Sequence, residues 1–159
     1  MIPVVGVVPA TVFVVIFSVC LILLHPASYA MDPERADPPG IGTFLPHLKN
    51  YMATARLIVG LAAASIAAMG AYLESVGRTS PCRIETVRTH AAWPLSFFAW
   101  TIIYGVLFTG LLARSYEEYC HNPYSYTRLP YVRNTALGFS TLVCFAVGYV
   151  FFAWMLLKS

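Results

Sequence analysis

The sequence predicts an all-α integral membrane protein, with four transmembrane helices in an antiparallel bundle with short loops. Three observations carry this expectation. Residues 4–24, 57–73, 93–113 and 136–157 contain no Asp, Glu, Lys or Arg, and a helix needs about 20 mainly apolar residues to cross ~30 Å of hydrocarbon. Of the 159 residues, 58% are apolar and 11% charged, against roughly 25% charged in soluble domains. The spans and their connections also use up the chain, so residues 1–159 are expected to form one unit with no soluble domain.

The first span, residues 4–24, is rich in Val, Ile and Phe. Such β-branched runs disfavour helix in water. In lipid every backbone donor must be satisfied within the segment, so helix is expected regardless. Pro9 is expected near the start of the regular helix, where a missing amide costs little. Ala27-Ser28-Tyr29-Ala30 resembles a cleavage site, but no positive charge precedes the apolar run, so the segment is expected to be retained. After His25-Pro26 come Pro33, Pro38, Pro39, Gly40, Gly42 and Pro46. These predict an extended connection to Asn50, lying along the membrane surface or on a neighbour.

The second span, about 54–73, belongs to a helix that opens at Leu48. Gly60, Ala64, Ala67 and Ala71 recur at 4-3-4 spacing on one face. Lipid tails give helices no hydrophobic reason to pair, so close backbone approach must do it. This helix is therefore expected at the centre of the bundle or against a partner protein, with these four residues as its packing face. Arg56, just inside the span, is expected to snorkel or to meet a partner carboxylate or a lipid phosphate.

The next connection, residues 74–89, holds Gly77 and Ser80-Pro81 as breakers, and Trp93-Pro94 reads as the start of the third span at 93–113. Trp93 and Trp100 at one end, with Tyr116 and Tyr119 at the other, are expected as interfacial belts. Residues 114–133 contain five tyrosines among prolines and charges, which predicts an ordered, packed loop. Within it Tyr124, Tyr126, Arg128 and Tyr131 are candidate lipid or partner contacts, and Glu117-Glu118 could pair with Arg114 and Arg128. The fourth span, 136–157, follows Asn134-Thr135.

Little in the chain points to chemistry. The +3 formal charge is spread over loops, which excludes a nucleic-acid footprint. Cys20 and Cys144 fall in spans; Cys82 and Cys120 fall in loops on opposite sides, so four unpaired thiols are expected. The histidines, His25, His47, His90 and His121, sit in loops or at span ends and show no metal spacing. Apart from Arg56 at the edge of the second span, no Asp, Glu, Lys, Arg or His lies inside a span, although such residues usually mark ion pathways. Ser18, Ser65, Thr101, Tyr104, Thr109, Ser140, Thr141 and Tyr149 are polar but can be absorbed by backbone carbonyls. Six of the ten Lys and Arg lie on the side of the first and third loops, which favours termini outside.

Leu45-Pro46-His47-Leu48-Lys49-Asn50-Tyr51 resembles the Pro-His-Leu-x-x-Tyr stretch before the first span of the membrane-anchor subunit of succinate dehydrogenase, and Trp93-Pro94-Leu95 is faintly similar to a span start there. The likeness covers about seven residues. No His-Arg pair follows in the second span and no His lies in the third, so the resemblance implies no quinone or haem site.

The expectation is then a non-catalytic accessory subunit of a large membrane complex, respiratory or photosynthetic, in the mitochondrial inner membrane or another energy-transducing membrane. Its partners would be other membrane subunits and lipids, with no cofactor. The alternative is a small homo-oligomeric four-helix transporter or channel, whose path would be lined by Ser65, Thr101, Tyr104, Thr109 or Thr141.

Overall fold

The computed structural model describes residues 4–24, 44–80, 84–121 and 128–158, with side-chain surroundings for 7–20, 23, 48–80, 84–118 and 132–158. These form four helices: α1 (Val4–Leu24), α2 (Phe44–Thr79), α3 (Ile84–His121) and α4 (Arg128–Lys158). No strand occurs among the described residues. Three helices are long and apolar enough to cross a membrane, over Leu48–Thr79, Ile84–Glu118 and Val132–Lys158, and α1 adds the shorter apolar run Val7–Cys20. This marks the chain as a membrane protein.

Each of α2, α3 and α4 outruns the apolar segment inside it, so the connections are shorter than the sequence predicts. Residues 44–47, 74–79, 84–89, 114–121 and 128–133, expected in loops, are helical. Hydropathy marks where a helix leaves hydrocarbon, whereas helix continues through polar turns whose side chains can pair along it. Glu74 and Arg78 form such an exposed i,i+4 ion pair at the end of α2, and Arg114 and Glu118 form another in α3 at 3.0 Å. Pro46 stands in the first turn of α2, where it is tolerated. Gly77 does not break the helix. It lies against Ile84, whose Cδ1 would be 2.6 Å from an added Cβ. The helix ends at Thr79, and Ser80 is not helical, because the residue before a proline disfavours helical dihedrals.

Pro94 is also not a start signal. It lies inside α3, fully buried, ten positions after Ile84. Its ring removes the amide that would bond the His90 carbonyl. Apolar spanning helices tolerate this where neighbours and hydroxyl side chains rearrange locally, and Ser96 Oγ two residues on bonds the Ala92 carbonyl at 2.7 Å.

The most extensive interface joins α3 and α4; α2 packs mainly on α3, while α1 packs on both α3 and α4. Two cores result. Ala10 and Val14 of α1 meet Phe97, Tyr104 and Cys144, while Ala62 and Met69 of α2 meet Ala91, Phe98 and Met155. The adjacent residues Phe97 and Phe98 thus serve different cores from one helix. Phe97 stacks on Phe151 at 5.6 Å between ring centroids, and Trp93 stacks on the same ring at 5.4 Å. Trp93, expected as an interfacial belt residue, is therefore a packing residue between α3 and α4.

Three glycines set the helix separations. A Cβ on Gly148 would lie 2.8 and 2.9 Å from ring carbons of the buried Phe98, one on Gly138 would lie 3.2 Å from the Phe108 ring, and one on Gly105 would collide with Val59 of α2. Gly148→Ala should therefore destabilise the chain by about 1–3 kcal/mol, the usual cost of overpacking. Gly60→Ala, with nothing within 4 Å of the new methyl, should leave stability within about 0.5 kcal/mol of the parent. Thermal unfolding of the two purified variants in one detergent checks the contrast.

Candidate functional site

Polar groups in apolar helices first satisfy themselves on their own backbone. Ser18 bonds the Val14 carbonyl at 2.8 Å, Ser65 bonds Leu61 at 2.8 Å, Thr101 bonds Phe97 at 2.9 Å, Thr109 bonds Gly105 at 3.0 Å and Thr141 bonds Leu137 at 2.8 Å. Among the described residues the side-chain bonds of Thr101, Thr109 and Thr141 stay within one helix.

The others also bridge helices. Ser18 Oγ of α1 lies 3.0 Å from Tyr104 Oη of α3 and 3.0 Å from Ser140 Oγ of α4, so one hydroxyl cluster ties three helices. Trp100 Nε1 of α3 donates to Thr11 Oγ1 of α1 at 3.2 Å, nearer the start of α1. On the other side Ser65 Oγ of α2 meets Tyr149 Oη of α4 at 2.8 Å. The Tyr149 ring is held edge-on by Phe98 at 5.2 Å and Phe145 at 4.9 Å. Each outer helix is therefore fastened to the α3–α4 pair by hydroxyl contacts that also fix its register.

The inward stripe of α2 is Ala55, Ile58, Ala62, Ser65 and Met69, all buried. Gly60, Ala64, Ala67 and Ala71 lie on the opposite side and are exposed, as is Arg56 one turn before them. Among the described residues nothing lies within 4 Å of a Cβ added to Gly60. The small-residue face thus points away from the other three helices. Tyr124 and Tyr126 lie outside the described residues, and Arg128 and Tyr131 belong to α4 with side chains outside them.

Comparison with known protein families, with curated proteins and with solved structures finds no match. Any functional reading therefore rests on the geometry of this chain.

Among the described residues no group of three His, Cys, Asp or Glu could hold a metal ion. His90 Nδ1 lies 2.7 Å from the Thr86 carbonyl, and its ring sits 5.0 Å from the Trp154 ring, over which Lys158 Nζ stands at 4.9 Å. This makes a small aromatic and cationic stack where α3 begins and α4 ends. His25 lies outside the described residues, and His47 and His121 are helical with side chains outside them. Cys20 and Cys144 are both free thiols; Cys82 and the Cys120 side chain lie outside the described residues.

Sequence reasoning lists the hydroxyl residues but misses their pairing across helices. No local pattern signals it: Ser18 lies six residues from the end of its span, Tyr104 nine from the end of its own, and Ser140 four after the start of the last. Removing both partners of one bridge should show a small positive coupling. In a double-mutant cycle of Ser65→Ala and Tyr149→Phe, read by unfolding in mixed micelles, the coupling should be about 0.6 kcal/mol and below ~1.7 kcal/mol, the range for such bonds in apolar surroundings.

Proposed function

We propose that this chain is a non-catalytic accessory subunit of a large membrane complex, in which it forms a four-span antiparallel bundle with α1 as the fourth span. The observation that carries the reading is the double-sided character of α2. Its inner stripe is used by α3 and α4, whereas Gly60, Ala64, Ala67 and Ala71 are left bare. In the most apolar window of α2 only 11% of residues are buried within the chain, compared with 33% in α3. A bare face of small residues suits close approach of another helix, and lipid alone gives no reason for such a face.

The inner hydroxyls support the same reading. Ser65, Tyr104 and Tyr149 are engaged with other side chains, while Thr101 and Thr141 are capped by their own backbone. A small homo-oligomeric transporter would need those groups to face water. The setting we favour is a respiratory or photosynthetic assembly, in the mitochondrial inner membrane or another energy-transducing membrane, because such assemblies carry many small helical subunits without reactive residues. Partners are other membrane subunits and lipids. Arg56, exposed on the same side as the bare face, is placed to meet a partner carboxylate.

The test is native mass after mild detergent extraction from the source membrane, with identification of comigrating proteins. Migration at several hundred kilodaltons is expected for the parent, following the reading of an accessory subunit. Ala64→Leu with Ala67→Leu should release the chain as a small species while its helix content stays unchanged. Migration of the parent as a monomer or small homo-oligomer would overturn the reading.

A further inference from the structure

Where the apolar part of α3 ends and that of α4 begins, three polar side chains converge. Asn134 Nδ2 lies 3.1 Å from Ser115 Oγ, and Arg133 Nη2 lies 3.4 Å from the same oxygen. Ser115 is 1% exposed and Asn134 is 4% exposed, while Arg133 is half-buried. Two atoms of this cluster, Arg133 Nε and Asn134 Oδ1, are buried and have no hydrogen-bond partner among the described residues. Among the described residues no carboxylate pairs with Arg133: the nearby acids of α3 are Glu118, which pairs with Arg114, and the exposed Glu117. A buried polar atom without a partner is destabilising, and more so when the group is charged.

The geometry points to a seat for the phosphate of an anionic lipid headgroup, formed by Ser115, Arg133 and Asn134. Nε and Nη2 share the side-on edge of the guanidinium, the edge that grips two oxygens of one phosphate. Ser115 Oγ already steadies Nη2. The two ends of the Asn134 amide are interchangeable in shape. When the amide is turned, the Ser115 hydroxyl donates to Oδ1, and Nδ2 becomes a further donor beside the arginine. All open valences are then N–H groups beside an arginine with no carboxylate partner among the described residues. This favours a phosphodiester whose headgroup carries no cation of its own over a zwitterionic one. The cluster lies between the charge-free segments ending at Ala113 and beginning at Ala136, the depth of headgroups. Arg133 keeps partial exposure although its Nε is buried, so a headgroup enters the seat as the Arg133 side chain swings outward. This inference rests on the membrane placement of α3 and α4 and is independent of the proposed accessory role.

The experiment uses the full chain in detergent, to which phosphatidylglycerol, phosphatidylcholine or inorganic phosphate is added in turn, and reads the unfolding midpoint and the lipids retained in native mass spectrometry. Phosphatidylglycerol should raise the midpoint by several degrees and be retained, with phosphatidylcholine giving less than half the shift and high salt reducing it. Arg133→Gln should abolish the difference between the lipids. Asn134→Asp, which supplies an internal carboxylate to Arg133, should do the same while keeping the fold. Equal responses of the parent to the two lipids would overturn the proposal even if both variants fail to fold. So would a phosphatidylglycerol response that persists in both variants. A midpoint raised by millimolar inorganic phosphate, with no lipid preference, would assign the seat to free phosphate and also overturn it.

Discussion

Everything else in this fold is hung on the contact between α3 and α4. In hydrocarbon, burying a leucine against a helix gains little over burying it in lipid, so shape and hydrogen bonds must hold helices together. The α3–α4 seam answers with glycines under aromatic rings. Gly148 admits Phe98, Gly138 admits Phe108, and Phe151 is sandwiched with Trp93 and Phe97. Because Phe97 and Phe98 enter different cores, the seam also builds the surfaces on which α1 and α2 rest. The outer helices then add only a few directed bonds, Ser18 and Thr11 from α1 and Ser65 from α2.

This arrangement explains why polar residues inside apolar helices need not mark a pathway. A hydroxyl has one donor and can accept twice, so Ser18 can serve its own backbone and still meet two partners. Such contacts cost nothing in buried charge and fix both register and depth. Their net energy is small, so the packing at the glycines must carry most of the association, and the hydroxyls select one arrangement among several of similar packing.

The helical class and the position of the apolar segments were legible in the sequence because absence of charge over some twenty residues is a local signal. Helix ends were not, since Glu74, Arg78, Arg114 and Glu118 carry charge while remaining helical, and hydropathy reports depth only. Trp93-Pro94 was misread for a related reason: a proline's tolerance inside an apolar helix depends on neighbours that are distant in sequence. The stripe at Gly60, Ala64, Ala67 and Ala71 was visible as a repeat, yet the glycines that matter inside the chain, Gly105, Gly138 and Gly148, stand alone. They become contacts only through Val59, Phe108 and Phe98, which no local pattern connects to them.

The central claim is that α2 serves two partners, its own chain on one side and another protein on the other. Photo-cross-linking in the source membrane tests it most directly, with a photoreactive residue at position 64 and a control at Phe13 of α1, which is exposed among the valines of that helix. The account predicts a discrete protein adduct from position 64 and mainly lipid adducts from position 13. Lipid adducts alone from position 64 would contradict it.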